Sequence, residues 1–552
     1  MIYCKEIYDY LDYYENNKEL FNEERILLIE NIVKPTLKRT DIVFDADGYY
    51  RCLKFCELWF YPFYPYQKFV TAFMFLYKDD NVVFRTFVIM MGRGNGKDGW
   101  IIPIALYFTS ELYNIPSYDV DVIATSESQA KDSFLVAYNM LEQNKNKMLK
   151  HFYWNKTEIL NRATLSKFRF LTSNSTTADG KKPGMVIMNE YHAYQNEKNA
   201  NTNISGIGKK KHGRVIIITS DGQTREGPLD ELKDTCKTIL NGEDNTIKYF
   251  PFICKLDSED LVDDPKKWIQ ANPSIDYMPI LRDAIETDYY EQKISPSKRN
   301  EFLAKRMNLP QQFSEDCVLD WETILKASFK DIKNKITRDC PDLNGKKAII
   351  GIDFASFNDF ATVGVLFKIK GEYIWRCKTF ISSKNKFFKD IKFPFKNYGQ
   401  NGFQDYEIVN TSIDAEFIVN EVINLVGKYR IVKIVLDSYR FQLLKQAFAN
   451  KGITDIESKT NPDGLIRMVR YPASMAAIVA PKIELEFTQG NVNIGNSALM
   501  RWAINNTSIK DCRDGNKKYE KIEPKLRKND PFMAFVGAFS QSDLLEEEII
   551  YI

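Results

Sequence analysis

Short apolar runs set the rhythm of this chain. The runs Val82 to Met90, Val120 to Ala124, Met185 to Met188 and Val215 to Thr219 alternate with helical stretches such as Trp100 to Leu112 and Ser128 to Glu142. Strands and helices taking turns in this way are the signature of a parallel α/β sheet. The first sixty residues differ and read as helices rich in charge and aromatic side chains. From Gly222 to about Asn344 the chain turns helical and polar, punctuated by Pro265, Pro273, Pro279, Pro296 and Pro310, which suits a subdomain followed by a connector. A second strand-rich series opens at Lys347 with Ala348 to Asp353, continues through Val363 to Lys368, Tyr373 to Phe380 and Ile431 to Leu436, and finishes in helices. The pattern predicts an N-terminal helical segment over residues 1–60, an α/β domain over 61–335 with a helical lid or linker from about 222, and a second α/β domain over 336–552. The boundary is expected near residues 335–345.

Composition narrows the class. A chain of 552 residues, 44% hydrophobic and 13% aromatic, has material for several domains at roughly 100–200 residues each. It is neither a small disulfide-stapled module nor a disordered chain. The longest apolar runs, such as Phe87 to Met91, fall far short of the roughly 20 residues that cross a bilayer. Met1 to Glu6 lacks the basic-then-apolar pattern of a secretory signal, so a cytoplasmic protein with no membrane partner is expected. Nine scattered cysteines and only His151, His192 and His212 leave little for a zinc site. A net charge of +2 advertises no nucleic-acid surface, although a basic groove can hide in that average. The loop Lys209-Lys210-Lys211-His212 reads equally well as a phosphate contact or as a solvated hairpin tip.

The sharpest local signal is the strand Phe87 to Met91 feeding Gly92-Arg93-Gly94-Asn95-Gly96-Lys97-Asp98, with a helix at once afterwards. That geometry wraps backbone N–H groups around phosphates and aims a lysine at the β and γ oxygens. Its bland alternative is a glycine-rich turn with a surface lysine. The general pattern is broken twice, by Met91 where the first glycine belongs and by Asp98 where a hydroxyl normally meets magnesium. The strand Met185 to Asn189 then ends in Glu190, the candidate base, while Asn189 stands in the place of the usual aspartate. Either Asp98 supplies the charge that Asn189 lacks, directly or through a water, or the site is a weak ATPase. The intact Gly96, Lys97 and Glu190 favour the exchange. Arg93 either offers a positive charge to the γ-phosphate in cis or shapes the turn.

The second half carries acids at element ends. Asp353 closes the strand Ile349 to Ile352, Asp437 closes Ile431 to Leu436, and Asp530 opens a helix whose next residue is Pro531. Three such carboxylates can hold two divalent cations roughly 3.5–4 Å apart, and all-oxygen ligands select magnesium or manganese over zinc. For each acid the alternative is a strand end or a helix cap, and Pro531 makes capping a real option for Asp530.

Taken together the order of motifs resembles a known family. Pro65-Tyr66-Gln67, Arg93 to Lys97, Ala124-Thr125 with Gln129-Ala130, Asn189-Glu190-Tyr191-His192-Ala193-Tyr194 and Thr219-Ser220-Asp221-Gly222 resemble the ATPase half of tailed-phage terminase large subunits. Gly351-Ile352-Asp353 with Asp359, Leu436-Asp437, Asn529 to Ala534, and the segment Gly495 to Trp502 with Asn505-Asn506 resemble the RNase H-like nuclease of the same family. The resemblance covers about residues 60–540. It implies a P-loop ATPase domain followed by an RNase H-like nuclease, Gln67 as an adenine contact, Thr219 to Gly222 as a coupling motif, and a structural role for His192. It further implies ATP with Mg2+ or Mn2+, double-stranded DNA, a portal protein and a small terminase subunit as partners, a homo-oligomeric ring on the capsid, and the host cytoplasm as location. Two other readings stay open on the residues alone: a nucleotide-binding assembly protein without turnover, and a helicase-like repair nuclease.

Overall fold

The computed structural model describes residues 2–172, 182–194, 204, 206–222, 225, 227–244, 246–294, 296–310, 317–355, 359–388, 391, 393, 395, 405–469, 472–511, 517–522 and 527–546; the side chains of 296, 297, 439, 440, 472–477, 511 and 517 are outside it. The chain forms two compact units, Met1–Gln311 and Gln312–Ile552.

The first unit is built on an eight-stranded sheet: β1 (Thr86–Met90), β2 (Val120–Ala124), β3 (Phe152–Trp154), β4 (Glu158–Asn161), β5 (Lys167–Thr172), β6 (Met185–Asn189), β7 (Arg214–Thr219) and β8 (Tyr249–Ile253), in the order β8-β1-β7-β6-β2-β5-β4-β3. The pairs from β8 to β5 are parallel, and β3 and β4 add an antiparallel edge. Successive residues of the central strands enter opposite cores. Phe87, Ile89, Ile187, Ile216 and Ile218 pack on one face, Val88, Met90, Val186, Met188, Val215 and Ile217 on the other. Burial on both faces is why these strands read as unbroken apolar runs. The helix Lys97–Thr109 is buried on almost every side, which explains its lack of a polar stripe.

Residues 1–60 do not stand apart. Ile7, Tyr10, Tyr14, Phe21, Tyr49 and Phe55 share one core with Phe69, Phe87 and Phe250. The stretch expected to be helical from residue 222 contains β8, which lies on the sheet edge, the position that tolerates its Pro251.

The second unit holds β9 (Lys347–Asp353), β10 (Ala361–Ile369), β11 (Glu372–Ser382), β12 (Tyr406–Val409), β13 (Arg430–Asp437) and β14 (Ile466–Val469), ordered β12-β11-β10-β9-β13-β14, with β15 (Val492–Asn493) beside β11. β9, β10 and β11 are an antiparallel meander, and β13 and β14 join in parallel. Helices Ala415–Lys428 and Ser438–Asn450 pack with one face of the sheet, Pro472–Thr488 and Asp530–Phe539 with the other. Gly351 matters here: a Cβ at that position would lie 2.0 Å from the carbonyl oxygen of Ala534, so its absence lets the Asp530–Phe539 helix lie directly on β9. The unit begins N-terminal to the expected boundary because Val318, Leu319, Ile324 and Ala327 pack in its core with Ile349.

Among the described residues no helix is long and apolar enough to cross a membrane. The eight described cysteines are free thiols, and Cys512 lies outside the described residues.

Candidate active sites

The first site lies at the C-terminal ends of β1, β6 and β7. Gly94 and Gly96 adopt left-handed backbone, with φ of 93° and 74°, which turns the strand into the helix N-terminus. Lys97 is buried and donates to the carbonyls of Met91 (3.1 Å) and Gly92 (3.4 Å). Burial pulls its ammonium below the ordinary lysine range, against the attraction of Glu190 and Asp98. Asp98, one residue on, meets Asn189 from the end of β6. The Asn189 amide donates to Asp98 Oδ1 at 3.1 Å and to Ser133 Oγ at 2.7 Å, and the Ser133 hydroxyl donates to the same Asp98 oxygen. Burial pushes the Asp98 carboxyl above its usual range, partly offset by Ser133 and Lys97. Asp98 and Asn189, the two departures that bear on magnesium, are therefore direct neighbours, joined by Ser133, which carries no signal in the sequence.

Glu190 sits at φ 49°, a left-handed position that costs an ordinary residue about 1–2 kcal/mol and persists where its surroundings fix it. Its backbone N–H donates to Asn189 Oδ1 at 2.8 Å, and its carboxylate lies 3.1 Å from His192 Nδ1. The His192 backbone N–H donates to Thr219 Oγ1 at 3.0 Å. Burial lowers the imidazole's affinity for a proton, with Glu190 opposing. His192 thus ties the candidate base to the end of β7. Two residues further on, Asp221 is buried between Arg225 (2.8 Å) and Lys233 (3.0 Å). Its N–H donates to Asn308 Oδ1 at 2.8 Å, and Asn308 donates onward to the carbonyl of Cys254.

The segment after β8 clamps the phosphate loop from outside. Gly92 N–H donates to Ala271 O (3.0 Å) and Arg93 N–H to Lys305 O (2.7 Å), while Arg306 donates to Arg93 O (2.6 Å). Asn95 donates to Gly92 O (2.9 Å) and to Asn272 Oδ1 (2.8 Å), and accepts from the Ser274 N–H (3.1 Å). Arg93 is exposed on the loop surface. Gln67 connects to the same cluster: its carbonyl caps the helix Pro65–Phe73 by accepting the Tyr64 N–H (2.9 Å), and its amide donates to Tyr66 OH (3.3 Å), which shares a hydrogen bond with Ser274 Oγ (2.7 Å). Both ends of Gln67 are engaged inside the protein, each by one hydrogen bond, which fixes the orientation of its amide. In the basic loop, Lys211 and His212 are spent on Asp80 (2.7 and 3.1 Å).

The second site is made by two strand ends and a helix start. The register pairs Ile352 with Leu436, so Asp353 and Asp437, the next residue of each parallel strand, lie side by side. Asp530 is the first residue of the helix seated on Gly351, and its cap is Asn529. Asp530 is buried, with Oδ1 3.1 Å from Lys521 Nζ and, among the described residues, no hydrogen-bond partner for Oδ2. Lys521 also lies 3.0 Å from Asp359, which meets Lys528 at 2.6 Å. Burial works against the Lys521 charge, yet Asp530, Asp359 and Asp353 outweigh it and hold the ammonium well above the ordinary lysine range. Among the described residues no three metal-ligating side chains close a ready-made shell. The donor set nevertheless suits a hard cation: it is all oxygen, and the orphaned Asp530 Oδ2 is a buried acceptor in want of one.

A phosphate loop at a parallel sheet, followed by a sheet of order β12-β11-β10-β9-β13-β14 with acids at β9, β13 and a late helix, defines a P-loop ATPase joined to an RNase H-like nuclease. The sequence matches the family described as terminase large subunit, ATPase domain, over residues 65–238, and that described as terminase large subunit, endonuclease domain, over residues 243–546. The terminase large subunits of Lactococcus phages p2 and SK1 are each 24% identical to it over 575 residues, covering 96% of this chain and 99% of theirs. The large terminase of bacteriophage HK97 superimposes with a TM-score of 0.49 at 15% identity, covering 90% of this chain and 100% of that one. The chain belongs to the terminase large subunit family. It is an ATPase and a metal-dependent endonuclease of viral DNA packaging.

Proposed function

We propose that the residues from Arg93 to Asp98 hold the phosphates of ATP, with Gln67 reading adenine, and that Glu190 activates the water that attacks the γ-phosphate. The observation that carries this is the meeting of Lys97 and Asp98, which follow β1, with Asn189 and Glu190 at the end of β6, across the intervening β7. Lys97 gives up the carbonyls of Met91 and Gly92 for phosphate oxygens. Glu190, steered by its fixed backbone and by His192, takes the water's proton. Asp98 supplies the negative charge that the neutral Asn189 lacks, and together they hold the nucleotide's Mg2+.

In the nuclease, Asp353, Asp437 and Asp530 hold Mg2+ or Mn2+. When bound, the two ions stabilise the attacking and leaving oxygens of a phosphodiester. The chain's own contribution is to present the three carboxylates on rigid elements and to exclude nitrogen and sulfur ligands. Double-stranded DNA is engaged through its phosphates, as a motor indifferent to sequence requires. The portal protein and the small terminase subunit are its partners, copies of this chain form a ring on the capsid, and the work takes place in the host cytoplasm. DNA-stimulated ATP hydrolysis by the purified chain and by Glu190→Gln tests the motor assignment: the variant is expected to bind ATP and not turn it over. Parental turnover by Glu190→Gln removes Glu190 from the mechanism.

A further inference from the structure

The acid cluster of the nuclease already holds a cation of its own. Lys521 Nζ lies 3.1 Å from Asp530 Oδ1 and 3.0 Å from Asp359 Oδ1, and its side chain is largely buried. It closes the strand Lys517–Lys521, which among the described residues pairs only with Thr507–Asp511 and stays outside the main sheet. Asp530 therefore spends one oxygen on a lysine while the other, buried, has no hydrogen-bond partner among the described residues. A divalent ion that takes Asp530 as a ligand meets a positive charge about 3 Å from that carboxylate and is repelled by it.

We infer that Lys521 is a built-in counter-cation that stabilises the metal-free acid cluster and must leave Asp530 before the catalytic ions bind. The inference rests on the nuclease reading of Asp353, Asp437 and Asp530. Lys521 is a positioning residue: it sets the threshold at which the site accepts metal, and so keeps the nuclease off at low divalent-ion occupancy. Lys521 lies outside the main sheet, so its side chain can leave Asp530 with the sheet's hydrogen bonds intact, while Tyr519 of the same strand stays packed on Phe532.

The test is calorimetric titration of Mn2+ into the full-length chain without nucleotide, comparing the parent with Lys521→Met, Lys521→Arg and Asp353→Asn. Lys521→Met is expected to bind Mn2+ at least about tenfold more tightly than the parent, from the removed charge, and to melt at a lower temperature when metal-free. Lys521→Arg should behave as the parent does. A Lys521→Met affinity equal to the parent's overturns the inference while leaving the nuclease reading standing. If Asp353→Asn titrates like the parent, the nuclease reading falls and the inference with it. A second readout needs no variant: amine labelling of Lys521, followed by mass spectrometry, should rise when Mn2+ is added to the parent. Unchanged labelling at saturating Mn2+ overturns the inference even if Lys521→Met fails to fold.

Discussion

Replacing Asn189 by Asp restores the residue that the common ATPase pattern expects, yet here it should harm the metal-free protein. The new carboxylate would face Asp98 at the present 3.1 Å contact, where two charges repel by about 5 kcal/mol at an effective dielectric of 20. The donors to Asp98 and Ser133 vanish as well, although the acidic pair can recover one bond by sharing a proton. That escape sets the ceiling: keeping an ordinary carboxyl protonated at pH 7 costs about 4 kcal/mol. The expected loss is thus roughly 3–4 kcal/mol at pH 7, or roughly 5–6 °C in melting temperature for a unit of this size. The sign with pH follows from a folded-state pKa raised above the unfolded value. Asn189→Asp should match the parent near pH 4 and fall progressively behind as pH rises through the raised value. The charge swap, Asp98→Asn with Asn189→Asp, again leaves one carboxylate and one amide. It should recover both the melting temperature and Mg-ATP binding. Melts of the parent, both single variants and the double variant across pH 4.5–8, with Mg-ADP titrations, complete the cycle. Additive losses, with a coupling below about 0.5 kcal/mol, would refute a shared role for the two residues.

Other outcomes follow from the same geometry. Lys97→Ala removes the only buried ammonium of the phosphate loop, and equilibrium binding of a fluorescent ATP analogue should be lost with the unit still folded. Asp353→Asn, Asp437→Asn and Asp530→Asn should each abolish Mg2+- or Mn2+-dependent plasmid nicking with ATP hydrolysis unchanged; a variant that still nicks does not hold the ions. Asn272→Ala deletes the acceptor of Asn95 and the donor to Arg306 O, and should lower the stability of the ATPase unit by roughly 1–3 kcal/mol and weaken nucleotide binding, as read by urea melts and Mg-ADP titration.

The sequence discloses what is periodic or terminal. Strands buried on both faces leave unbroken apolar runs, so Phe87 to Met90 and Met185 to Met188 were legible, and acids that end such runs, Glu190, Asp353 and Asp437, were legible with them. Ser133 was not, because a serine seven residues into an amphipathic helix looks like any other until the helix is laid beside Asn189. Asn272, Ser274 and Arg306 stayed hidden for a similar reason: their work depends on how a polar, proline-rich segment returns to the phosphate loop, and no period records that. Tyr249 to Ile253 is an apolar run inside that polar stretch, and its proline is the mark of an edge strand. The N-terminal helices carried charge on their outer faces, and only packing showed Tyr10 and Phe21 meeting Phe69 and Phe250 in one core.

In the ATPase the buried polar groups of the phosphate loop are engaged by the chain's own residues, and that arrangement links occupancy to the clamp. Lys97 donates to Gly92 O, the same carbonyl that receives Asn95, and Asn95 in turn donates to Asn272. A phosphate that draws Lys97 away leaves Gly92 O to Asn95 alone and so changes the balance of a bond network shared with Asn272 in the segment after β8. From Asn272 the connection continues to Arg306 O, and the Arg306 guanidinium returns to Arg93 O on the loop itself. The γ-phosphate side has its own line, from Glu190 through His192 to Thr219, and the chain beyond Thr219 reaches Asn308 through Asp221. Two runs of contacts thus start at Lys97 and at Glu190, and both end within residues 272–308. That is the segment in which a nucleotide-dependent movement has the shortest physical route from the chemistry.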